Sequence, residues 1–537
     1  MSGSAVLLRG GVVYSPADPF ATAMVVDGSS VGWVGSEGAA DAAVGPGVRT
    51  VDLGGALVTP AFVDAHVHLT DTGLADSGVD LSSASQARDV LDAVAGAARS
   101  RPGLPVLGHG WDDTTWRVAG LPTRAEIDRA AGGAAVYLAR VDVHSALVSS
   151  ALLDAVPAAR DAAGYDPVGP VTRQAHHRAR RASRDMLTPG QRRTLQAQAL
   201  RAAATRGIGQ VHEMAASHIA GADDLALLLD WSRDADVPEV IGYWAELGGI
   251  ETARALGARG CAGDLCIDGS LGSHTAALRI PYADDPATSG ARYIEPADAA
   301  AHVIACTEAG VQAGFHCIGD DAVAVAVGAI AAAAEECGLA AVQAARHRLE
   351  HVEMVEPAGL AQMAELGVVA SVQPAFDAAW GGRSGMYAQR LGSLRSERMN
   401  PWAGMARAGV TLAFGSDSPV TPLDPWGAVR AAATHHTPEH RITARAAFAA
   451  HTRGGWRAAG VDDGGALVPG APASYAVWDV PGQLVVQAPD DRVAAWSTDP
   501  RSGVPGLPEM GDGSARPRCR STVVRGRTVF DSDTPDS

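Results

Sequence analysis

The chain has 537 residues, of which 47% are hydrophobic and 19% charged, as is ordinary for a globular protein with a large core. A formal net charge of −17 leaves no basic surface for phosphates and argues against a nucleic-acid partner. The sequence has no apolar run of the ~20 residues that a membrane span needs and no secretory signal, so we expect a cytoplasmic protein without a membrane partner.

Both ends of the chain carry β-strand patterns. Residues 6–14 and 24–28 are rich in valine, and the Asp-Gly pair at 27–28 favours a hairpin turn. Residues 475–479 and 522–530 show a similar pattern near the C-terminus. We therefore predict one small composite β-sandwich domain, formed by residues 1–58 together with residues 465–537.

Between these ends, short apolar segments alternate with alanine-rich helical segments, which is typical of βα units in a parallel sheet. Eight such strands predict a (β/α)8 TIM-like barrel over residues 59–464, with its active site at the carboxyl ends of the strands. Most predicted strands end in polar or titratable residues. The predicted ends are 66–68, 210–213, 242–244, 267–269, 315–317, 349–351, 372–374 and 415–417.

The segment between the first two predicted barrel strands is roughly 140 residues, far too long for one crossover connection. It predicts an inserted cap subdomain at about residues 70–205, over the mouth of the barrel. Trp111, Asp112 and His144 lie in this insertion. They either line the substrate site or serve as local hydrogen-bonding and packing residues.

The residues at the strand ends predict a metal site. His66 and His68 are two positions apart, so on a strand their side chains point to the same face, roughly 6–7 Å apart. His316, His351 and Asp417 stand at later strand ends. Imidazole and carboxylate groups suit Zn²⁺, and a bound ion with an open position would lower the pKa of a water molecule. Asp417 is then the candidate general base.

The order of motifs resembles the amidohydrolase superfamily, and specifically its YtcJ-like branch, which includes N-substituted formamide deformylases. The resemblance implies that His66, His68 and Asp417 are metal ligands and that His316 is a further ligand. It implies that His351 is either a ligand of a second metal or a group that polarises the substrate. The matching segments are 60–68 (PAFVDAHVH), 110–112 (GWD), 140–147 (RVDVHSAL), 268–273 (DGSLGS), 316–320 (HCIGD), 348–351 (RLEH), 373–374 (QP) and 415–420 (GSDSPV).

The same motifs supply the candidate substrate-binding residues. His274 stands where this branch frequently has an arginine, which predicts a changed preference for substrate charge. The candidates are Trp111, Asp112, His144, Asp268, His274 and Gln373.

A further position, on the predicted fourth strand, also departs from the family pattern. Many amidohydrolases bridge two metals with a carboxylated lysine, but Asp264 holds that position here and the chain contains no lysine. Asp264 could bridge only if its shorter side chain reached far enough into the barrel. Cys266 is a softer alternative that strand alternation would place on the opposite face. The sequence therefore favours one metal ion over two.

The predicted function is metal-dependent hydrolysis of a carbon–nitrogen bond other than a peptide bond, in a small amide or formamide. A deaminase that uses the same metal-water chemistry is one alternative, and a non-catalytic barrel that serves as a binding module is another. The intact set of ligands argues against the binding module. The sequence leaves the substrate open, and also whether the protein forms a homo-oligomer.

Overall fold

The computed structural model describes residues 5–45, 48–487, 496–497, 504–511 and 513–533. Parts of the predicted terminal domain therefore lie outside the described residues. These parts are residues 1–4, 46–47, 488–495, 498–503, 512 and 534–537.

Eight parallel strands form a barrel in which each strand pairs with the next one along the chain. A hydrogen bond from the His68 N–H to the Ser418 carbonyl (3.0 Å) brings the last strand against the first. This arrangement confirms the predicted (β/α)8 fold. The strands are β1 (Phe62–Val67), β2 (Ile208–Ala216), β3 (Glu239–Ala245), β4 (Gly260–Cys261), β5 (Gln312–Cys317), β6 (Arg348–His351), β7 (Val369–Val372) and β8 (Thr411–Phe414).

The barrel is held by burial on both faces of its sheet, and every residue of β1, β2 and β5 is buried. On the outside of β1, Phe62 packs edge-on against Trp426 and Phe448, with ring centroids 4.9 and 5.3 Å away. At the carboxyl end of the same strand, His66 instead faces the carboxylates of Asp264 and Asp417, with Nε2 3.4 Å from each.

The predicted fourth strand through residues 267–269 is wrong. β4 is only two residues long, and the chain bends at Gly263, whose φ of +90° is a conformation that favours glycine. After this bend, an isolated β-bridge pairs Cys266 with His316 of β5. Because residues 263–265 do not form a strand, the alternation argument that separated Cys266 from Asp264 does not apply.

Strands from the two ends of the chain pair with each other. Leu57–Pro60 lies antiparallel to Tyr475–Asp479, in a five-stranded sheet that is completed by Val12–Val13, Arg518–Val524 and Arg527–Asp531. A four-stranded sheet consists of Ser30–Gly35, Ala23–Asp27, Val6–Arg9 and Arg49–Asp52. A third sheet pairs Leu484–Gln487 with Trp496–Ser497 and Leu507–Pro508.

The segment between β1 and β2 forms a separate five-stranded sheet with its own helices. Two arginines of its helix Arg173–Asp185, Arg180 and Arg184, pair with the buried Asp71 just after β1. The strands are Val79–Asp80, Val106–Trp111, Val136–Arg140, Ser145–Val148 and Val171–Thr172. The other helices are Leu69–Ser77, Ala87–Ser100, Arg124–Ala131, Ser150–Ala155 and Pro189–Ala204, with 3-10 turns Asp113–Thr115 and Pro157–Asp161.

The remaining helices surround the barrel or connect its strands. None of the helices in the described part of the chain is long and apolar enough to cross a membrane. They are Glu37–Ala43, Ala222–Ser232, Ile250–Leu256, Pro296–Glu308, Asp320–Cys337, Leu339–Ala345, Pro357–Glu365, Pro374–Trp380, Met386–Leu391, Ser393–Ser396, Trp402–Ala408, Pro425–Ala433, Ala444–Ala449 and Gly455–Ala458, with short turns at Pro438–His440 and Ala450–Gly454.

Candidate metal centre

The carboxyl ends of β1 and β8 bring three of the predicted ligands together. Because β8 lies beside β1, Asp417 reaches both histidines of β1. Its Oδ1 is 3.4 Å from Nε2 of His66 and 3.3 Å from Nε2 of His68. All three side chains are buried.

His316 and His351 approach the same point from β5 and β6. Their ring centroids are 4.5 Å apart, and the ring of His351 is 5.0 Å from that of His66. The structure thus places all five predicted ligands around one buried point at the mouth of the barrel.

Asp264 lies at the centre of this group. Its Oδ2 is 3.2 Å from Nε2 of His68, and its Oδ1 is 3.4 Å from Nε2 of His66. The same Oδ1 is 3.7 Å from Nδ1 of His316 and 4.0 Å from Nε2 of His351. The short aspartate side chain therefore has the reach that the sequence left in question.

Each of the four histidine rings has one nitrogen against an acceptor and the other directed toward the carboxylates. Carbonyl and carboxylate oxygens only accept hydrogen bonds, so they fix the N–H on one side of each neutral ring and leave a lone pair on the other. Oriented histidines of this kind are typical of metal ligands. The acceptors are Glu350 Oε2 for His66 (2.9 Å), Met214 O for His68 (3.1 Å), Gly269 O for His316 (3.2 Å) and Gln373 Oε1 for His351 (2.8 Å).

The residues present fit a divalent cation. His66 Nε2 and Asp264 Oδ1 are buried and have no hydrogen-bond partner, although buried polar atoms are normally paired. Nitrogen and carboxylate donors at these spacings are the ligands that Zn²⁺ and similar ions prefer. A cation between them would satisfy both atoms.

The carboxylates of Asp264 and Asp417 also favour a positive charge among the histidines. Burial alone lowers the pKa of His68, but Asp264 and Asp417 outweigh it and raise that pKa well above its usual range. Burial likewise opposes the charge on His316, yet contact with Asp264 raises its pKa to about 9. Two buried carboxylates thus attract protons here, and a bound cation would supply the charge in their place.

A second cluster of possible ligands, formed by Cys261, His302 and Cys306, lacks this arrangement. His302 accepts a hydrogen bond from the Gly248 N–H through Nδ1 (3.0 Å) and donates from Nε2 to the Cys261 carbonyl (3.0 Å). Both ring nitrogens are therefore used, and this histidine is a satisfied core residue.

An ion pair beneath the centre holds His66 in place. The buried guanidinium of Arg348 donates to both oxygens of Glu350, at 2.6 and 3.0 Å, and Glu350 in turn accepts from His66. Burial raises the pKa of Glu350, but Arg348 outweighs burial and lowers that pKa to about 2, so the carboxylate stays charged. The sequence shows this RLEH motif but not the roles of its first and third residues. Because Arg348 and Glu350 are two positions apart, the sequence can predict that they lie on the same face of β6 and pair with each other. It cannot predict that Glu350 contacts His66 on β1.

A small chamber of about 30 Å³ adjoins the metal centre. His144 from the cap lines it, and its ring is 5.0 Å from that of His316. Phe376, Trp380 and Tyr387, from the segment between β7 and β8, form an aromatic wall. This volume exceeds the roughly 10–15 Å³ that one water molecule needs, so the chamber has room for water beside the candidate metal centre.

Two other cap candidates serve the cap itself. Trp111 is buried in the hydrophobic core of the cap, where its Nε1 donates to the Leu138 carbonyl (2.9 Å). Asp112 accepts from Arg140 (2.7 Å), which also pairs with Asp142 (3.0 Å). The structure does not bring Trp111 and Asp112 to the chamber.

Asp268 and His274 also lie outside the chamber lining. Asp268 is buried and accepts from three backbone N–H groups, those of Ala277, Ile318 and Gly319, at 2.8 to 3.0 Å. It therefore clamps the loop after β4 to the loop after β5. His274 lies near the surface, with Nε2 3.1 Å from Asp284.

Gln373, the remaining candidate, holds His351 in its orientation. Replacing Gln373 with leucine removes the acceptor for the His351 N–H, so we expect the affinity for a divalent metal ion to fall by about 10–100-fold. Competition with a chromogenic chelator measures this change. Gln343→Leu, on an exposed helix, is the matched control and should leave the affinity unchanged. Equal affinities for both variants would contradict this role.

Known proteins of similar sequence and structure include amidohydrolases and a metal-dependent hydrolase. Residues 49–530 match the sequence profile described as "Amidohydrolase family". The crystal structure of an uncharacterized metal-dependent hydrolase from Pyrococcus horikoshii OT3 superposes with a TM-score of 0.72 at 25% identity, and the match covers 88% of this chain and 97% of that one.

Three relatives of known name are similar to this chain in sequence. Protein LONG AFTER FAR-RED 3 from Arabidopsis thaliana is 27% identical over 535 residues, 88% of either chain. Putative amidohydrolase YtcJ from Bacillus subtilis (strain 168) is 25% identical over 410 residues, 71% of this chain and 74% of its own. N-substituted formamide deformylase from Arthrobacter pascens is 32% identical over 139 residues, 25% and 26% of the two chains. The profile match over most of its length shows that this chain belongs to the amidohydrolase family, in its YtcJ-like branch.

Proposed function

We propose that the chain is a zinc-dependent amidohydrolase that cleaves a carbon–nitrogen bond other than a peptide bond, in an amide or an N-substituted formamide. The observation that carries the metal-dependent part is the common alignment of four histidine rings on Asp264 and Asp417. The family match supports hydrolysis. The partial similarity to a formamide deformylase supports the choice of bond.

In this proposal, Asp417 transfers a proton and His351 is a metal ligand. A bound divalent ion lowers the pKa of water and polarises a substrate carbonyl. Asp417 borders the chamber, and as general base it takes the proton of the attacking water and passes it to the leaving nitrogen. Burial and the neighbouring His316 lower the pKa of His351 to about 4, so its ring is neutral. With its N–H given to Gln373, His351 offers a lone pair, which favours a ligand role over donation to the substrate oxygen.

The chamber supports a small, partly apolar substrate. Its aromatic wall, Phe376, Trp380 and Tyr387, shields the reacting atoms from bulk solvent and suits an apolar substituent on nitrogen. His144 stands on the opposite, cap side, next to His316, and is the remaining candidate for contact with the substrate.

The test is metal depletion followed by reconstitution with Zn²⁺ and a panel of N-substituted formamides and amides. We expect activity to be lost with the metal and restored by Zn²⁺, with release of formate or carboxylate together with an amine. Release of ammonia from an sp² carbon instead would indicate the deaminase. Zinc binding without turnover of any compound in the panel would favour a binding module.

A further inference from the structure

Six oriented side chains surround one point, which is more than a single ion can use. Zinc sites are almost always four-coordinate, and catalytic ones keep a position open for water. One ion would leave at least two buried groups aimed at the centre without a partner, at a cost for each. The six groups are His66, His68, His316, His351, Asp264 and Asp417.

We propose that Asp264 is a ligand shared by two divalent ions, so that this chain builds a two-metal centre from an ordinary aspartate. On one side, His66, His68 and Asp417 have ligand atoms within 4.8 Å of one another. On the other, His316 and His351 face Asp264 Oδ1, at 3.7 and 4.0 Å.

The distances fit this division. Zinc–ligand bonds of about 2.0–2.1 Å in a tetrahedron place neighbouring ligand atoms about 3.3 Å apart. The separations among His66, His68, Asp417 and Asp264 are 3.2 to 3.4 Å. Since His66 gives Nδ1 to Glu350, it has one nitrogen left and can bind only one of the two ions. Asp264, with two oxygens and the unpartnered Oδ1, is the group that contacts both sides.

The local chain path explains how so short a side chain reaches the centre. Gly263 turns the backbone with a φ of +90°, and a Cβ at this position would lie 2.7 Å from the sulfur of Met214. Beyond the turn, the His316 N–H donates to the Leu265 carbonyl (3.2 Å), which draws the segment against β5. The backbone thus comes close enough for an aspartate to replace a longer bridging group.

Assembly of such a centre needs no carbon dioxide. A carboxylated lysine forms only when its amine adds carbon dioxide and loses a proton, whereas Asp264 already carries its carboxylate. The inference rests on the metal-dependent part of the proposed function, but its measurement needs no substrate, so it can fail while hydrolysis stands.

The experiment loads metal-depleted full-length protein with Zn²⁺ or Mn²⁺ in buffer stripped of carbon dioxide, with and without added bicarbonate. Elemental analysis should give about two ions per chain in both buffers, and electron paramagnetic resonance should show spin-coupled Mn²⁺ pairs. In Asp264→Asn the coupling should disappear and metal content should fall by half or more, while Asp264→Glu should retain paired ions. Cys266→Ser is the matched control and should keep both ions, because the Cys266 thiol lies against the Asp264 carbonyl (3.3 Å).

Three results would overturn the inference. The first is one ion per chain in the wild type with the spectrum of isolated Mn²⁺. The second is a second ion that appears only with bicarbonate. The third is paired ions that persist in Asp264→Asn or vanish in Cys266→Ser. If an Asp264 variant does not fold, the wild-type measurements still decide whether two ions bind without a carboxylated group.

Discussion

Asp417→Asn should lower kcat/KM for the cleaved amide by about 10²–10⁴-fold, because the change removes the candidate general base. Asparagine keeps the size of the side chain but cannot take a proton from water. It also replaces the charged oxygen that lies 3.4 and 3.3 Å from His66 and His68. Weaker metal binding should therefore accompany the loss of rate.

Steady-state kinetics with saturating Zn²⁺, together with metal analysis of the same sample, separates these two effects. If the variant holds its metal and still loses rate, the general-base role accounts for the loss. Asp285→Asn, in an exposed loop, is the matched control and should keep full activity. Full activity in Asp417→Asn would overturn the mechanism.

Asp71→Ala should be the most destabilising single change that we predict, at about 3–5 kcal/mol, because it leaves two buried arginines without their counter-charge. Asp71 Oδ1 accepts from Arg184 at 2.6 Å, and Oδ2 accepts from Arg180. The side chains of Asp71 and Arg180 are only 3% and 5% exposed. This ion triad joins the helix directly after β1 to the helix Arg173–Asp185, so its loss should loosen the packing between these two helices first.

Urea unfolding followed by tryptophan fluorescence measures the change. The control is Asp92→Ala, whose partner Arg88 is 82% exposed and 3.6 Å away, and it should cost well under about 1 kcal/mol. Similar midpoints for the two variants would contradict a stabilising role for the triad.

The triad also predicts a dependence on pH. Burial alone raises the pKa of Asp71, but Arg180 and Arg184 outweigh it and hold that pKa well below its usual range. A carboxylate with a lowered pKa stabilises the fold fully above its unfolded value of about 3.9, and that contribution is lost as the pH falls further. The stability difference between wild type and Asp71→Ala should therefore be constant from neutral pH to about pH 5 and shrink below about pH 4. A difference that grows in acid would contradict this sign.

Much of the candidate site could be predicted because each predicted ligand follows an apolar strand pattern. His66, His68, His316, His351 and Asp417 each stand at or just after a strand end, and parallel strands bring their carboxyl ends to one rim. The strand pattern, together with the rule that barrel active sites lie at the carboxyl ends of the strands, was enough to group residues more than 300 positions apart.

The residues that orient these ligands could not be predicted in the same way. Glu350 faces His66, and Met214 offers a backbone carbonyl to His68; both contacts depend on how neighbouring strands align in register. Hydrogen-bond partners across a barrel leave no mark in a one-dimensional pattern. For the same reason the sequence leaves open whether Trp111 and Asp112 line the substrate site or pack locally, and the structure shows that both serve the cap itself.

The sequence by itself determined the barrel, the candidate histidine and aspartate ligands and the absence of lysine, because strand periodicity and composition can be read along the chain. Only the tertiary structure decided whether Asp264 reaches the metal centre. That depended on Gly263, where the chain leaves the expected strand and brings a short carboxylate within 4.0 Å of four histidines. This turn depends on how residues 263–265 pack against Met214 and β5. The spacing of residues along the sequence does not predict such packing.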